Sequence, residues 1–248
     1  MLAKIIIDKK EYTVDFSKPI DLSIPLVDGE SNPVAWYLNA PKIEPVKEGK
    51  WIAAVAQGAV VNFNNIFFNP HAHGTHTECV GHITEKVHSI NQSLKTFMFI
   101  AEVVTLVPEA FKEDYVFTKK QVQKALGANR PEALVIRTLP NTSGKKNRKW
   151  SNTNWPYLLE EAVVFFRECG IKHLLLDLPS VDREKDEGVL ASHKAFWDLD
   201  GKIRMDATIT EMIYVPHTVT DGSYLLNLQI ASFENDATPS KPVLYGLS

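Results

Sequence analysis

Apolar positions along the chain fall into three rhythms. The first is a short alternation. Tyr12, Val14 and Phe16 alternate with Glu11, Thr13 and Asp15, which is the pattern of a half-buried strand. Ile5-Ile6-Ile7 precede them and Asp8-Lys9-Lys10 lie between, so Lys4 to Phe16 predicts a hairpin. Ile20 to Ile24 predicts a short strand ended by Pro25, and Trp51 to Val61 a strand pair turning at Gln57-Gly58. The second rhythm is a continuous apolar or β-branched run. Phe97 to Val107, Ala133 to Thr138, Ile171 to Leu178, Ile209 to Val215 and Tyr224 to Phe233 all read as strands of this kind. The third is helical. Thr118 to Gly127 has an N-cap threonine and a glycine stop, and Leu158 to Cys169 carries the stripe Ala162, Val163, Phe165 and Phe166 before Gly170. Ser192 to Trp197 predicts a short helix bearing His193. Asn141 to Trp155 is polar, basic and turn-rich, and predicts a mobile surface loop or lid. No repeat and no second composition regime interrupts the chain, so residues 1–248 read as one α/β or α+β domain.

Composition narrows the class of partner. The 248 residues are 44% hydrophobic and 23% charged, as in a globular protein, and the net charge of −3 leaves no basic excess for nucleic acid or an anionic membrane. No stretch approaches the roughly 20 apolar residues of a membrane span. The apolar run at Ile5 to Ile7 is too short for a signal-peptide core. Two cysteines, Cys79 and Cys169, make no disulfide framework, and a reducing cytoplasm is the expected compartment. The expected partner is a small molecule.

The chemistry concentrates in Asn69 to His82. Four of the eight histidines, His71, His73, His76 and His82, lie there with Glu78 and Cys79, punctuated by Pro70, Gly74 and Gly81. Imidazole nitrogen and carboxylate oxygen are ligands for zinc, manganese or iron. In an extended segment, side chains two apart share a face. That pairs His71 with His73 and His76 with Glu78, with Gly74 as a bend between the pairs. His193 and Glu211 form a second, distant set that folding is expected to bring to the same ion. The isolated His88, His173 and His217 read as ordinary surface or core histidines, and Cys79 as a buried structural thiol. Asp177, Ser180 and Asp182 surround a strand end, where both sites and simple turns occur.

These residues resemble the cyclase-like metal-dependent hydrolases, a family that includes kynurenine formamidase and isatin hydrolase. Gly74-Thr75-His76 matches the Gly-Thr-His of its signature, Glu78 stands where the family has Asp, and His82 falls on its last histidine. Asp21-Leu22-Ser23, Pro33-Val34-Ala35-Trp36, Ile136-Arg137-Thr138 and Asp177 to Asp182 resemble further family segments. The departures are Ala72 at the first motif histidine, Val80 at the motif proline, and a longer interval from His193 to Glu211 around Asp198 to Asp206. The resemblance implies a swivelling β/β/α domain, a curled β-sheet assembly with helices packed outside. It implies a metal site of His76, Glu78, His193, Glu211 and either His71 or His73, with His82 as general base and Trp36 on the substrate. It implies one or two divalent ions, zinc first and manganese as the alternative, and a homodimer or higher assembly. The implied activity is hydrolysis of a small amide, formamide or cyclic amide, against a non-catalytic binding protein on the same fold.

Overall fold

Seven strands close into a barrel: β1 (His76–Glu78), β2 (Met98–Leu106), β3 (Ala133–Thr138), β4 (His173–Leu176), β5 (Thr208–Glu211), β6 (Gly222–Ile230) and β7 (Ala237–Gly246). The computed structural model describes residues 1–7 and 9–248. Around the ring the order is β6, β2, β3, β4, β5, β1, β7, and β7 pairs back onto β6. Strands β2 to β5 run parallel to one another. A parallel pair requires a crossover rather than a hairpin, and each of these crossovers carries a helix: α1 (Lys119–Leu126), α2 (Glu160–Glu168) and α3 (Ala191–Trp197). The remaining neighbours in the ring are antiparallel. The fold is thus mixed α/β, with the curled sheet closed into a ring.

Strand β7 makes the closure by changing partner along its length. Ala237 to Pro239 pair with β1, and Ser240 to Gly246 pair with β6. The sequence reading missed this strand because Pro239 and Pro242 break its pattern and cannot donate to a ladder. At the partner change, the Ser240 N–H donates to the Thr75 carbonyl at 3.2 Å.

Alternation along the strands sorts side chains into two cores. Ala101, Val103, Ala133, Val135 and Leu175 meet Leu226, Leu228 and Leu244 inside the barrel. Their neighbours Val104, Leu106, Leu134, Ile136, Leu174 and Leu176 face outward and meet Val122, Phe166 and Phe196 of the helices. Burial on both faces explains why β3 is an unbroken apolar run. Helix α1 begins where the sequence places it. Thr118 accepts from the Gln121 N–H, and Gln121 returns a bond to the Thr118 N–H, which closes a capping box.

Several expectations change. The first hairpin pairs Leu2–Ile7 with Lys10–Asp15; its expected turn includes Asp8, which lies outside the described residues. Only Trp51–Ile52 of the expected pair at Trp51 to Val61 is a strand, and a tight turn at Val55–Gln57 leads into Gly58 at φ 89°. Asn141 to Trp155 runs largely along the surface, as expected, but it is anchored inward at several points. Trp150 and Trp155 are each 1% exposed, and the Lys145 ammonium is buried against Asp177 at 2.7 Å. Among the described residues no helix is long and apolar enough to cross a membrane.

Candidate metal centre

Strands β1 and β5 form the floor of the histidine cluster. His76 pairs with Glu211, and Glu78 with Ile209. Directly opposed residues share a face, and Ile209 belongs to the helix-side core. His76, Glu78 and Glu211 therefore point to the helix side of the barrel wall, where α3 delivers His193. Thr77 and Thr210 point the other way and share a hydrogen bond of 2.8 Å. The expectation that His76 and Glu78 share a face rests on this extended backbone. Cys79, next in the chain, turns into the barrel core, fully buried.

Upstream, the chain is a turn and not a strand. The N–H groups of Ala72 and His73 both donate to the Asn69 carbonyl at 3.2 Å. The turn sends His71 and His73 to different places, so they do not share a face as expected. His73 Nδ1 accepts from the Asn69 N–H at 2.8 Å, and its Nε2 lies 2.9 Å from the Asn39 carbonyl. Both ring nitrogens are spent on backbone, and His73 lines a mainly apolar cleft with Ile24, Phe68 and Gly74. His71 instead enters the cluster. Its Nδ1 lies 3.1 Å from Glu78 Oε2 and its Nε2 2.8 Å from Asp236 Oδ2.

The motif residues around His76 have structural work of their own. Gly74 sits at φ 133°, a region open to glycine, and its carbonyl faces His76 Nδ1 at 2.9 Å. Thr75 donates to the Met212 carbonyl at 2.6 Å and accepts from the Ile24 N–H at 2.8 Å, which ties the start of β1 to the end of β5. A Cβ on Gly81 would stand 2.2 Å from the His88 carbonyl oxygen, so only glycine fits there.

The rest of the cluster follows from this frame. His193 Nε2 lies 3.3 Å from Glu78 Oε1, and His76 Nε2 lies 3.5 Å from Glu211 Oε2. His82, the most open of the four clustered histidines, stacks on His71 with centroids 4.3 Å apart. Its Nε2 lies 3.9 Å from Glu78 Oε2 and its Nδ1 3.4 Å from Asp236 Oδ2. Trp36 packs edge-to-face on Trp155 at 5.2 Å, and the Trp155 indole N–H donates to the Asp182 carbonyl at 3.0 Å. The Ala35 N–H donates to the Ala72 carbonyl at 3.0 Å, so Trp36 stands beside the histidine turn, its own φ at 58°.

Two carboxylates complete the cluster without having been assigned a role from sequence. Asp182 accepts from the Ser192 and His193 N–H groups at the start of α3 and from His193 Nδ1 at 2.5 Å. Its place at a strand end was visible, but that place alone did not separate an orienting carboxylate from a turn. Asp236 precedes the unrecognised strand β7, and nothing in its local sequence marks it.

The electrostatics are those of charges packed tightly together. Burial alone would lower His71, but the hydrogen bond to Asp236 and the charges of Glu78 and Asp236 overcome this and push it up to about 10. Burial likewise opposes protonation of His193, and Asp182 and Glu78 carry it well above the usual histidine range. Burial would raise Glu78, yet the surrounding histidines hold it well below the usual carboxylate range. Glu211 is raised by burial and by the Glu78 charge.

Four atoms at the middle of the cluster are buried without a hydrogen-bond partner: His76 Nε2, His193 Nε2 and both carboxylate oxygens of Glu78. Buried polar atoms are normally paired. Here Gly74 and Asp182 hold the Nδ1 edges of the two histidines, which directs their Nε2 atoms into the cluster, as for metal-ligating imidazoles. Glu78 stands between the two, and its carboxylate with imidazole nitrogens on either side suits a divalent ion of the zinc or manganese kind. His71, His76 and Glu78, and again Glu78, His82 and His193, bring ligand atoms within 4.8 Å of one another.

Comparison with known proteins agrees with this architecture. The sequence matches the family Cyclase, described as "Putative cyclase", over residues 20–183. No curated protein matches the chain in sequence. Among solved structures, the chain is similar to an isatin hydrolase bound to the product analogue thioisatinate, with 17% identity, TM-score 0.65 and 93% of each chain covered. It is similar to isatin hydrolase A from Labrenzia aggregata at 14% identity and TM-score 0.67, covering 92% of this chain and 93% of that one. A third structure, titled a predicted metal-dependent hydrolase from Bacillus stearothermophilus, aligns at 17% identity and TM-score 0.64, covering 92% of this chain and 98% of that one. At these identities the likeness is one of fold.

Proposed function

The chain belongs to the Cyclase family, and from that premise we propose that it is a metal-dependent hydrolase of a small amide, formamide or cyclic amide. The observation that carries the reading is the set of orphaned atoms on His76, Glu78 and His193. Buried polar atoms left without a partner are costly unless a cation meets them. His76, Glu78, His193 and Glu211 would hold the ion, with His71 beside Glu78. A divalent ion bound there supplies Lewis-acid polarisation of a carbonyl and lowers the pKa of water toward about 7.

The chain's own side chains do the rest. Asp182 fixes the tautomer and direction of His193 through the Nδ1 bond. His82 is the partly open histidine at the rim, with its side chain 31% exposed. It takes the proton of the attacking water and returns it to the leaving nitrogen. Trp36, beside the histidine turn, offers an aromatic wall to an aryl group on the substrate. A homodimer or higher assembly, implied by the family resemblance, belongs to the same reading.

The competing reading is a non-catalytic metal-binding protein on this fold. The observation in its favour is Ala72, which leaves the family's first motif histidine without a counterpart at that position. Turnover decides between them. N-formylkynurenine, isatin and simple aryl formamides are offered with added Zn²⁺ or Mn²⁺, against a metal-free control. Hydrolysis is expected only with metal. His82→Ala is expected to keep its metal and lose about 10²–10⁴-fold in rate, the usual share of a general base. Loss of metal in that variant would make His82 a ligand, and metal-bound protein inert toward every substrate would favour the binding reading.

A further inference from the structure

The turn that carries Trp36 has a backbone its residues do not favour. Trp36 and Tyr37 stand at φ 58° and 59°, and the Leu38 N–H closes the turn on the Ala35 carbonyl at 3.4 Å. Two successive left-handed positions are usually filled by asparagine and glycine. An aromatic pair holds them only where its surroundings over-determine the backbone.

The surroundings do this through one carboxylate. Glu184, 8% exposed, accepts the Tyr37 hydroxyl at 2.8 Å on Oε1. The same oxygen accepts the Asn152 N–H, and Oε2 accepts the Asn154 N–H at 2.8 Å. Asn152 and Asn154 are left-handed as well, at φ 63° and 45°. Ser151, just before them, accepts the Tyr37 N–H on its hydroxyl at 2.8 Å. Glu184 thus clamps two turns from distant parts of the chain onto each other, and hydrogen bonds to an ionised group are the stronger kind. The second turn runs into Trp155, whose ring meets that of Trp36 at 90°.

The clamp sits on the loop that also addresses the metal ligands. Asp182, two residues before Glu184, holds His193 Nδ1, and its carbonyl accepts the Trp155 indole N–H. One loop therefore orients an inner ligand through Asp182 and the aromatic wall through Glu184. Neither Glu184 nor Tyr37 has a part in the proton transfers assigned to His82.

We propose that Glu184 is a positioning residue: by holding Tyr37 and the turn at Asn152 to Asn154, it fixes the Trp36 ring as the wall on which an aryl-bearing substrate stacks. The proposal rests on the reading of Trp36 as the substrate's aromatic wall. Loosening the clamp lets the Trp36-Tyr37 turn relax toward ordinary φ and swings the indole away. The metal ligands keep their own partners, so the loss falls on substrate binding.

A double-mutant cycle on the metal-loaded, full-length protein tests this. Tyr37→Phe deletes only the hydroxyl, and Glu184→Gln keeps the shape of the side chain but only one acceptor oxygen. Each is made alone and together with Trp36→Ala. Circular dichroism verifies the fold and elemental analysis the metal content; where Glu184→Gln does not fold, Tyr37→Phe decides. Hydrolysis of an aryl formamide and of isatin is followed. Each single variant is expected to raise KM about 10-fold with kcat within about 2-fold, as when binding alone is lost. Added to Trp36→Ala, neither is expected to raise KM further. Unchanged KM in the single variants overturns the proposal. The same rise with and without Trp36 overturns it too, because Glu184 then acts elsewhere, and so does a fall in kcat at unchanged KM. Loss of metal from a folded variant also overturns it, since the clamp then supports the ligands and not the wall. All of these outcomes leave the hydrolase reading standing. Wild type that holds metal and turns over neither substrate defeats that reading and the proposal together.

Discussion

Single residues in this protein are assigned by what meets their second polar atom. His71 and His73 stand two apart in the chain, yet the Asn69 turn spends both nitrogens of His73 on backbone and leaves both nitrogens of His71 facing carboxylates. His173 gives the contrasting case. It lies inside the wall on β4, 3% exposed, with Nδ1 2.9 Å from the Thr208 hydroxyl and its ring 4.0 Å from that of Phe99. Burial, helped by the Lys172 charge, pushes it down to about 4. The unfolded chain takes up this proton near pH 6.5 and the folded chain refuses it until much lower. The resulting stability is whole above the unfolded pKa and is lost as pH falls through the folded one. It amounts to about 3 kcal/mol between pH 7 and pH 4. Urea denaturation of wild type and His173→Gln across that range checks this. The acid-induced loss is expected to be smaller in the variant by that amount, and equal losses would show that His173 is not the group responsible.

Elements were legible where their causes are local. Helix α1 is announced by Thr118, Gln121 and Gly127, all within its own length, and β3 by an apolar run that burial on both faces demands. The anchoring of the segment from Asn141 to Trp155 was hidden by the same logic. Its lysines and asparagines look solvated, but Lys145 is buried by an acceptor set from elsewhere: Asp177 Oδ2 at 2.7 Å, the Thr138 carbonyl at 2.7 Å and the Thr138 hydroxyl at 2.9 Å. These partners lie at or just beyond the ends of β3 and β4, and no local pattern names them. Lys145→Ala leaves the Asp177 carboxylate buried and unpaired, at an expected cost of about 3–5 kcal/mol in chemical denaturation. Lys145→Met with Asp177→Leu removes both charges and should recover much of that loss. A single variant that costs under about 1 kcal/mol would show that the Lys145–Asp177 pair does not anchor the segment. The candidate site divides the same way. His76, Glu78, His82, His193 and Glu211 were readable as residues with ligand chemistry, whereas Asp236 needed β7, which its prolines concealed.

At the scale of the whole barrel, the candidate centre lies across the thinnest part of the wall. Strand β1 has three residues and is held by only three residue pairs on each side, to β5 and to β7, whereas β2 and β3 share six. A short ladder opens more readily than a long one, because fewer buried contacts and hydrogen bonds must break together. His76 and Glu78 come from β1, Glu211 from β5 and His193 from α3. An ion held by these four would cross-link the weak seam, and binding to the folded state alone would stabilise it by about 4 kcal/mol at a thousandfold excess over Kd. Chelation should therefore act unevenly over the molecule. Amide hydrogen exchange in metal-free protein is expected to quicken first at residues 76–78 and 208–211, with little change at 133–138 until global unfolding. Returning Zn²⁺ should restore protection in the same segments and raise the melting temperature. Uniform acceleration over all seven strands would mean that the ion adds only to global stability. Exchange indifferent to metal at the β1 seam would mean that the histidine and carboxylate cluster holds no ion there.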